Sequence, residues 1–160
     1  MSLGPLERVN GRWSAGDRTK PGGTWLEFSA DGLLQHVSDS EEQLIPWGRI
    51  MLAGFTFGAK HPPRGSHGVR TLFGGGRGYV HMTLRHPYED WVVSFDCHRR
   101  RYRATELVWW ETLFSQTVAA GEAHRFGDAD WLSRAIEELV RQRPRTARKI
   151  RQAVTQARSA

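Results

Sequence analysis

Cysteine is almost missing from this 160-residue chain: Cys97 stands alone. One cysteine excludes an intramolecular disulfide and any cysteine-rich zinc centre. Long apolar runs are missing too. No stretch approaches the roughly 20 residues needed to span a bilayer, and residues 1–8 hold no apolar run of the signal-peptide type. A cytoplasmic location without a membrane role is expected. Lysine occurs only at Lys20, Lys60 and Lys149, against a large excess of arginine.

Acidic residues are missing from one end. Seven of the 23 Lys and Arg residues fall after residue 139, and none of the 17 acids does. The preceding body therefore carries 16 cations against 17 anions, and the net charge of +6 belongs to the last stretch. Charge segregated in this way is an electrostatic footprint for an anionic partner.

Motifs for chemistry are also lacking. The histidines at 36, 61, 67, 81, 86, 98 and 124 never adopt the spacing that puts two metal ligands on one helix face. The run Gly74-Gly75-Gly76-Arg77-Gly78 is followed by Tyr79 and Val80 rather than Lys and Ser or Thr. It therefore reads as a hairpin turn, not a phosphate cradle. No serine occupies a nucleophile elbow. Asp96, Cys97 and His98 are adjacent and cannot all converge from an extended strand. A non-catalytic protein without metal or cofactor is expected.

What the chain does have is aromatic bulk: seven Trp, seven Phe and three Tyr. With 25% charged residues, it can build a core and stay soluble. Residues 1–23, rich in Gly, Pro, Arg and Ser, read as an N-terminal arm with Trp13 tucked against the body. Strands are expected at 24–29, 33–38, 44–45, 51–57, 69–73, 79–84 and 91–95, from alternation bounded by turn residues. Residues 58–68 read as a long loop. At Asp31-Gly32 the left-handed conformation of a hairpin is expected. Between 104 and 120, Leu107, Trp110, Phe114 and Val118 recur at helical spacing. A second helix, capped by Asp128 or Asp130, carries Leu132, Ala135, Ile136, Leu139 and Val140 and breaks at Pro144. A third, basic helix runs from 145 to 157.

The run from Leu44 to Ile50 marks a corner. Pro46 cannot donate to a ladder and ends its strand. Trp47 and Ile50, three apart, share one face of a tight turn. This Ile-Pro-Trp-x-x-Ile corner, after two strands joined at Asp31-Gly32, resembles the bacterial pleckstrin-homology-like domains over residues 24–120. The resemblance implies an α+β fold: a seven-stranded antiparallel bent sheet or open barrel with a closing C-terminal helix. It implies a domain at 24–121; the helices of 122–160, with the basic tail, go beyond such a domain and read as an added helical extension. Together with the absence of catalytic motifs, it leads to the expectation of a non-catalytic interaction module. Members mostly bind phosphoinositides, peptides or proteins, and the lipid route uses basic residues between the first two strands. Here Ala30-Asp31-Gly32 is acidic, which disfavours that route and leaves a protein partner as the leading expectation.

The residues expected to meet a partner or a phosphate are Arg99, Arg100, Arg101 and Arg103, ahead of the first helix, and Arg141, Arg143, Arg145, Arg148, Lys149 and Arg151 in the tail. Nucleic-acid binding through that tail is the alternative. Another comes from Gly11-Arg12-Trp13, which is similar to the lipocalin G-x-W entry motif and implies a calycin-like barrel around a small apolar ligand.

Overall fold

The computed structural model describes residues 1–38, 40–57 and 76–160. Asn10 and Gly11 both take positive φ, 54° and 78°. That is the two-residue hairpin geometry for which Asn-Gly is suited. The turn joins two strands of a six-stranded antiparallel meander: β1 (Ser2–Leu3), β2 (Leu6–Val9), β3 (Arg12–Ala15), β4 (Thr24–Phe28), β5 (Gly32–Val37) and β6 (Gln43–Pro46). Residues 1–23 are therefore half of a sheet rather than an arm. Trp13, Leu3, Leu6 and Ala15 are fully buried there.

At Pro46 the chain leaves the first sheet through a 3-10 turn, Trp47–Arg49. A second antiparallel sheet follows: β7 (Ile50–Phe57), β8 (Arg77–Leu84) and β9 (Glu89–Asp96). The α+β class is as the sequence implied, but among the described residues the strands form two antiparallel sheets of six and three, where one seven-stranded bent sheet or open barrel was expected. The strand expected at 69–73 lies outside the described residues, as does the loop at 58–68. Side chains bridge the two sheets. Gln35 donates through Nε2 to the Ser94 carbonyl (3.0 Å), and Asp96 accepts from the Thr24 backbone N–H (2.8 Å) and from Lys20 Nζ (3.1 Å).

The Pro46–Ile50 corner works as a plug. Trp47 and Ile50 are buried, and the Trp47 indole N–H donates to the Ser29 carbonyl at 2.8 Å. Gly32 takes no positive φ. It is required for a different reason: a β carbon there would lie 2.2 Å from the Ile45 carbonyl oxygen.

Three helices close the fold: α1 (Ala104–Ala119), α2 (Ala129–Gln142) and α3 (Ala147–Arg158). Leu107, Trp110, Phe114 and Val118 all face inward, as their spacing requires. The interior is filled by rings. Phe55 meets Phe114 edge-on at 4.8 Å between centroids and Trp110 at 5.2 Å, and Phe114 lies 4.9 Å from Phe126. Such contacts add to the burial of large apolar surface, the main driving force of folding. Asp128 caps α2, accepting from the N–H groups of Asp130 and Trp131, and Thr146 caps α3 by accepting from Lys149. Ile150, Ala153, Val154 and Ala157 of α3 belong to the same core as the strands of residues 1–15. The segment 122–160, expected as an extension, is part of that core, and the basic residues of 143–151 lie on the outer face of α3 and at the connection that precedes it.

Candidate functional site

Arg103, the last residue of the first basic run, meets the second run forty residues later at the α2–α3 connection. Arg143 ends α2 in the left-handed conformation (φ 47°), which turns the chain sharply. The Trp109 indole N–H then fixes the Pro144 carbonyl at 2.8 Å, and Thr146 starts α3. This turn holds Arg143 and Arg145 at the rims of two adjoining cavities. One, of about 230 Å³, is lined by Arg103, Arg143 and Arg145 together with Glu106, Trp109 and Val140. The other, of about 300 Å³, is lined by Arg143, Arg145 and Lys149.

Glu106 is the one acid lining either cavity among the described residues. It is already engaged: one oxygen accepts from the Gly4 N–H (3.2 Å), and the other lies 3.7 Å from Arg103 Nε. By contrast, Arg143, Arg145, Arg148, Lys149 and Arg151 form no ion pair among the described residues. Several cations elsewhere are paired: Arg8 with Asp130, Arg12 with Glu27, Arg49 with Glu89, Arg158 with Glu122.

The remaining expected residues divide. Arg100 is tied to the Gly4 carbonyl and to Glu7. Arg141 grips Glu138, and its hydrogen bond, with one from Gln142, holds that carboxyl below the usual range. Arg99 and Arg101 are exposed but do not line the two cavities; Arg148 and Arg151 lie on the outer face of α3. Arg103, Arg143, Arg145 and Lys149 are the expected residues that the fold brings together.

Other groups have structural partners. Cys97 is buried. Next to it, His98 Nδ1 and the Tyr102 hydroxyl are 2.6 Å apart, and burial pushes the Tyr102 phenol above its ordinary pKa. Glu111 of α1 accepts from the Phe55 backbone N–H at 2.5 Å, and burial raises its carboxyl to about 8. Trp13 donates through its indole to Ser133 Oγ (3.0 Å), so Gly11-Arg12-Trp13 anchors β3 to α2. The calycin-like reading needs a closed barrel with an open interior; the sheets are two, and rings occupy the space between them and α1. No group of three His, Cys, Asp or Glu gathers to hold a metal among the described residues, and none of their helices is long and apolar enough to cross a membrane.

One cluster is not apparent from the sequence. On the outer face of the six-stranded sheet, Arg18 lies 4.4 Å above the Trp25 ring and His36 stacks beneath it at 3.8 Å. Glu27, nearly buried, pairs with Arg12 (3.1 Å) and His36 (3.3 Å). The signal is present in β4, where Trp25 and Glu27 alternate with inward Leu26 and Phe28, but a face is visible only once β3 and β5 flank it.

No family model matches this chain, and no curated protein or solved structure matches it.

Proposed function

We propose that the protein is a non-catalytic, pleckstrin-like interaction module that docks an acidic segment of a partner protein on the α2–α3 connection. The carrying observation is the convergence of Arg103, Arg143, Arg145 and Lys149 on two adjoining cavities, with the cations of 143–151 left unpaired among the described residues. Arginine is suited to this work, because its planar fork matches a carboxylate with two parallel hydrogen bonds. Val140, 41% exposed, adds an apolar contact at the rim. Charge beside exposed apolar surface suits a peptide better than a phosphate backbone, which presents regularly spaced charge over a longer track. Support for the pleckstrin-like part of the reading is the proline–tryptophan corner followed by antiparallel strands and a helix, α1, packed against β7.

Affinity capture from cell extract tests this reading, with nuclease treatment and with an R143G/R145Q/K149Q variant in parallel. A protein band captured by the native chain after nuclease treatment and lost with the variant is expected. Equal capture by the variant, or retention abolished by nuclease, contradicts it.

A further inference from the structure

The outer face of the six-stranded sheet carries a further concavity, of about 340 Å³, far in sequence from the basic turn. Its lining includes Val9, Arg12, Ser14, Arg18, Trp25 and Glu27. Strand register explains the gathering. Ser14 faces Glu27 across the β3–β4 ladder, and Trp25, two residues before Glu27, points to the same side.

Three observations point to an occupant. The first is the Ser14 hydroxyl. Ser14 is 1% exposed, and its Oγ has no hydrogen-bond partner among the described residues. A buried hydroxyl without a partner is unfavourable, and buried polar groups are nearly always satisfied. The second is Arg18. Its guanidinium lies 4.4 Å from the Trp25 centroid and forms no ion pair among the described residues. Stacking fixes the plane of the fork, so its edge donors are oriented before a ligand arrives. The third is the state of Glu27. One oxygen faces Arg12 and the other faces His36, so the one acidic group of the cavity is in use. Arg12 and Glu27 offset one another's charge. What remains is the Arg18 fork, the Ser14 hydroxyl and the neutral amide of Asn10, with one uncompensated positive charge.

We propose that this concavity binds a small carboxylate compound. Its carboxylate pairs with the stacked Arg18, the Ser14 hydroxyl donates to it from below, and Val9 covers its apolar body. The site is independent of the basic turn, since no residue is shared between them.

The test is titration of the full chain with acetate, succinate, citrate and benzoate, reading the Trp25 indole N–H resonance, which a W25F variant assigns. The expected result is a saturable shift with at least one of the four. R18Q should abolish it, and S14A should weaken affinity about tenfold, while both variants keep the native spectrum elsewhere. S14A removes a hydroxyl with no partner among the described residues, so folding is preserved. Inorganic phosphate at equal ionic strength should give a weaker response. The proposal is overturned if none of the four shifts the resonance saturably, if R18Q binds like the native chain, or if phosphate binds as well as the best carboxylate.

Discussion

Gly32 and Ile45 approach so closely that a β carbon on the first would lie 2.2 Å from the carbonyl oxygen of the second. The contact joins the two short motifs that stand out in the sequence, Asp31-Gly32 and Ile45-Pro46-Trp47. Gly32 starts β5 directly opposite Pro46, and Trp47 bonds the Ser29 carbonyl just before that turn. G32A must therefore move backbone, not a flexible side chain. It should cost about 3 kcal/mol or more. Gly48, one residue past Trp47, is different: a β carbon there would meet nothing within 4 Å. G48A should stay within about 0.5 kcal/mol of the native protein. Urea unfolding of both variants checks the pair.

The same corner is held from its other side by Arg49. Its Nε donates to the Arg85 carbonyl at 3.0 Å, and one terminal nitrogen donates to the Pro87 carbonyl (3.3 Å) and to Glu89 (2.8 Å). Lysine keeps the charge but not the fork. R49K should lower stability by roughly 1–2 kcal/mol, read as a reduced midpoint in denaturant with an unchanged slope.

Glu111 makes stability depend on pH. Its folded-state pKa, near 8, stands above the ordinary 4.5 because burial disfavours the charged form. Between those values the folded state holds a proton that the unfolded chain has released. Stability is therefore greatest below about pH 4.5 as far as this group is concerned, and it falls as pH rises toward 8. The loss is on the order of a few kcal/mol. E111Q keeps an acceptor for the Phe55 N–H and cannot ionise. Thermal melts from pH 5 to 8.5 should show the native melting temperature falling and that of E111Q nearly level over the same interval.

Much of this fold is legible in the sequence. Helical spacing locates all three helices, because Leu107, Trp110, Phe114 and Val118 leave one solution for burying large rings. Asp128 and Pro144 bound α2 through capping and the missing N–H. The N-terminal sheet is less legible. Asn10-Gly11 is a strong hairpin signal, but the strands it joins are only four residues long and each buries too little alone to show a period. Their burial comes from α2, through Trp13 and Ser133, more than a hundred residues away. Gly32 shows the reverse case: the turn is plain in the sequence, but the glycine answers to a close approach that no local rule contains. For the basic residues, composition identifies the charged end. It cannot show that Arg103 joins Arg143 and Arg145, since that depends on how α1 packs against the turn.

Arg143 separates stability from binding. Its left-handed backbone suits glycine. R143G should be neutral or stabilising by up to about 1 kcal/mol, while removing one cation from both cavities. A variant that is at least as stable as the native protein but binds an acidic peptide more weakly would show that this arginine is there for its charge. Calorimetry and peptide titration on the same sample check both halves.

The most direct test of docking at the α2–α3 connection is fluorescence anisotropy with a labelled glutamate-rich peptide and a labelled 20-base-pair duplex, for the native chain and for R143G/R145Q/K149Q. Salt-sensitive peptide binding that the triple variant loses is predicted, with the duplex bound more weakly than the peptide by the native chain. Peptide affinity unchanged in the variant, or tighter binding of the duplex, would contradict it.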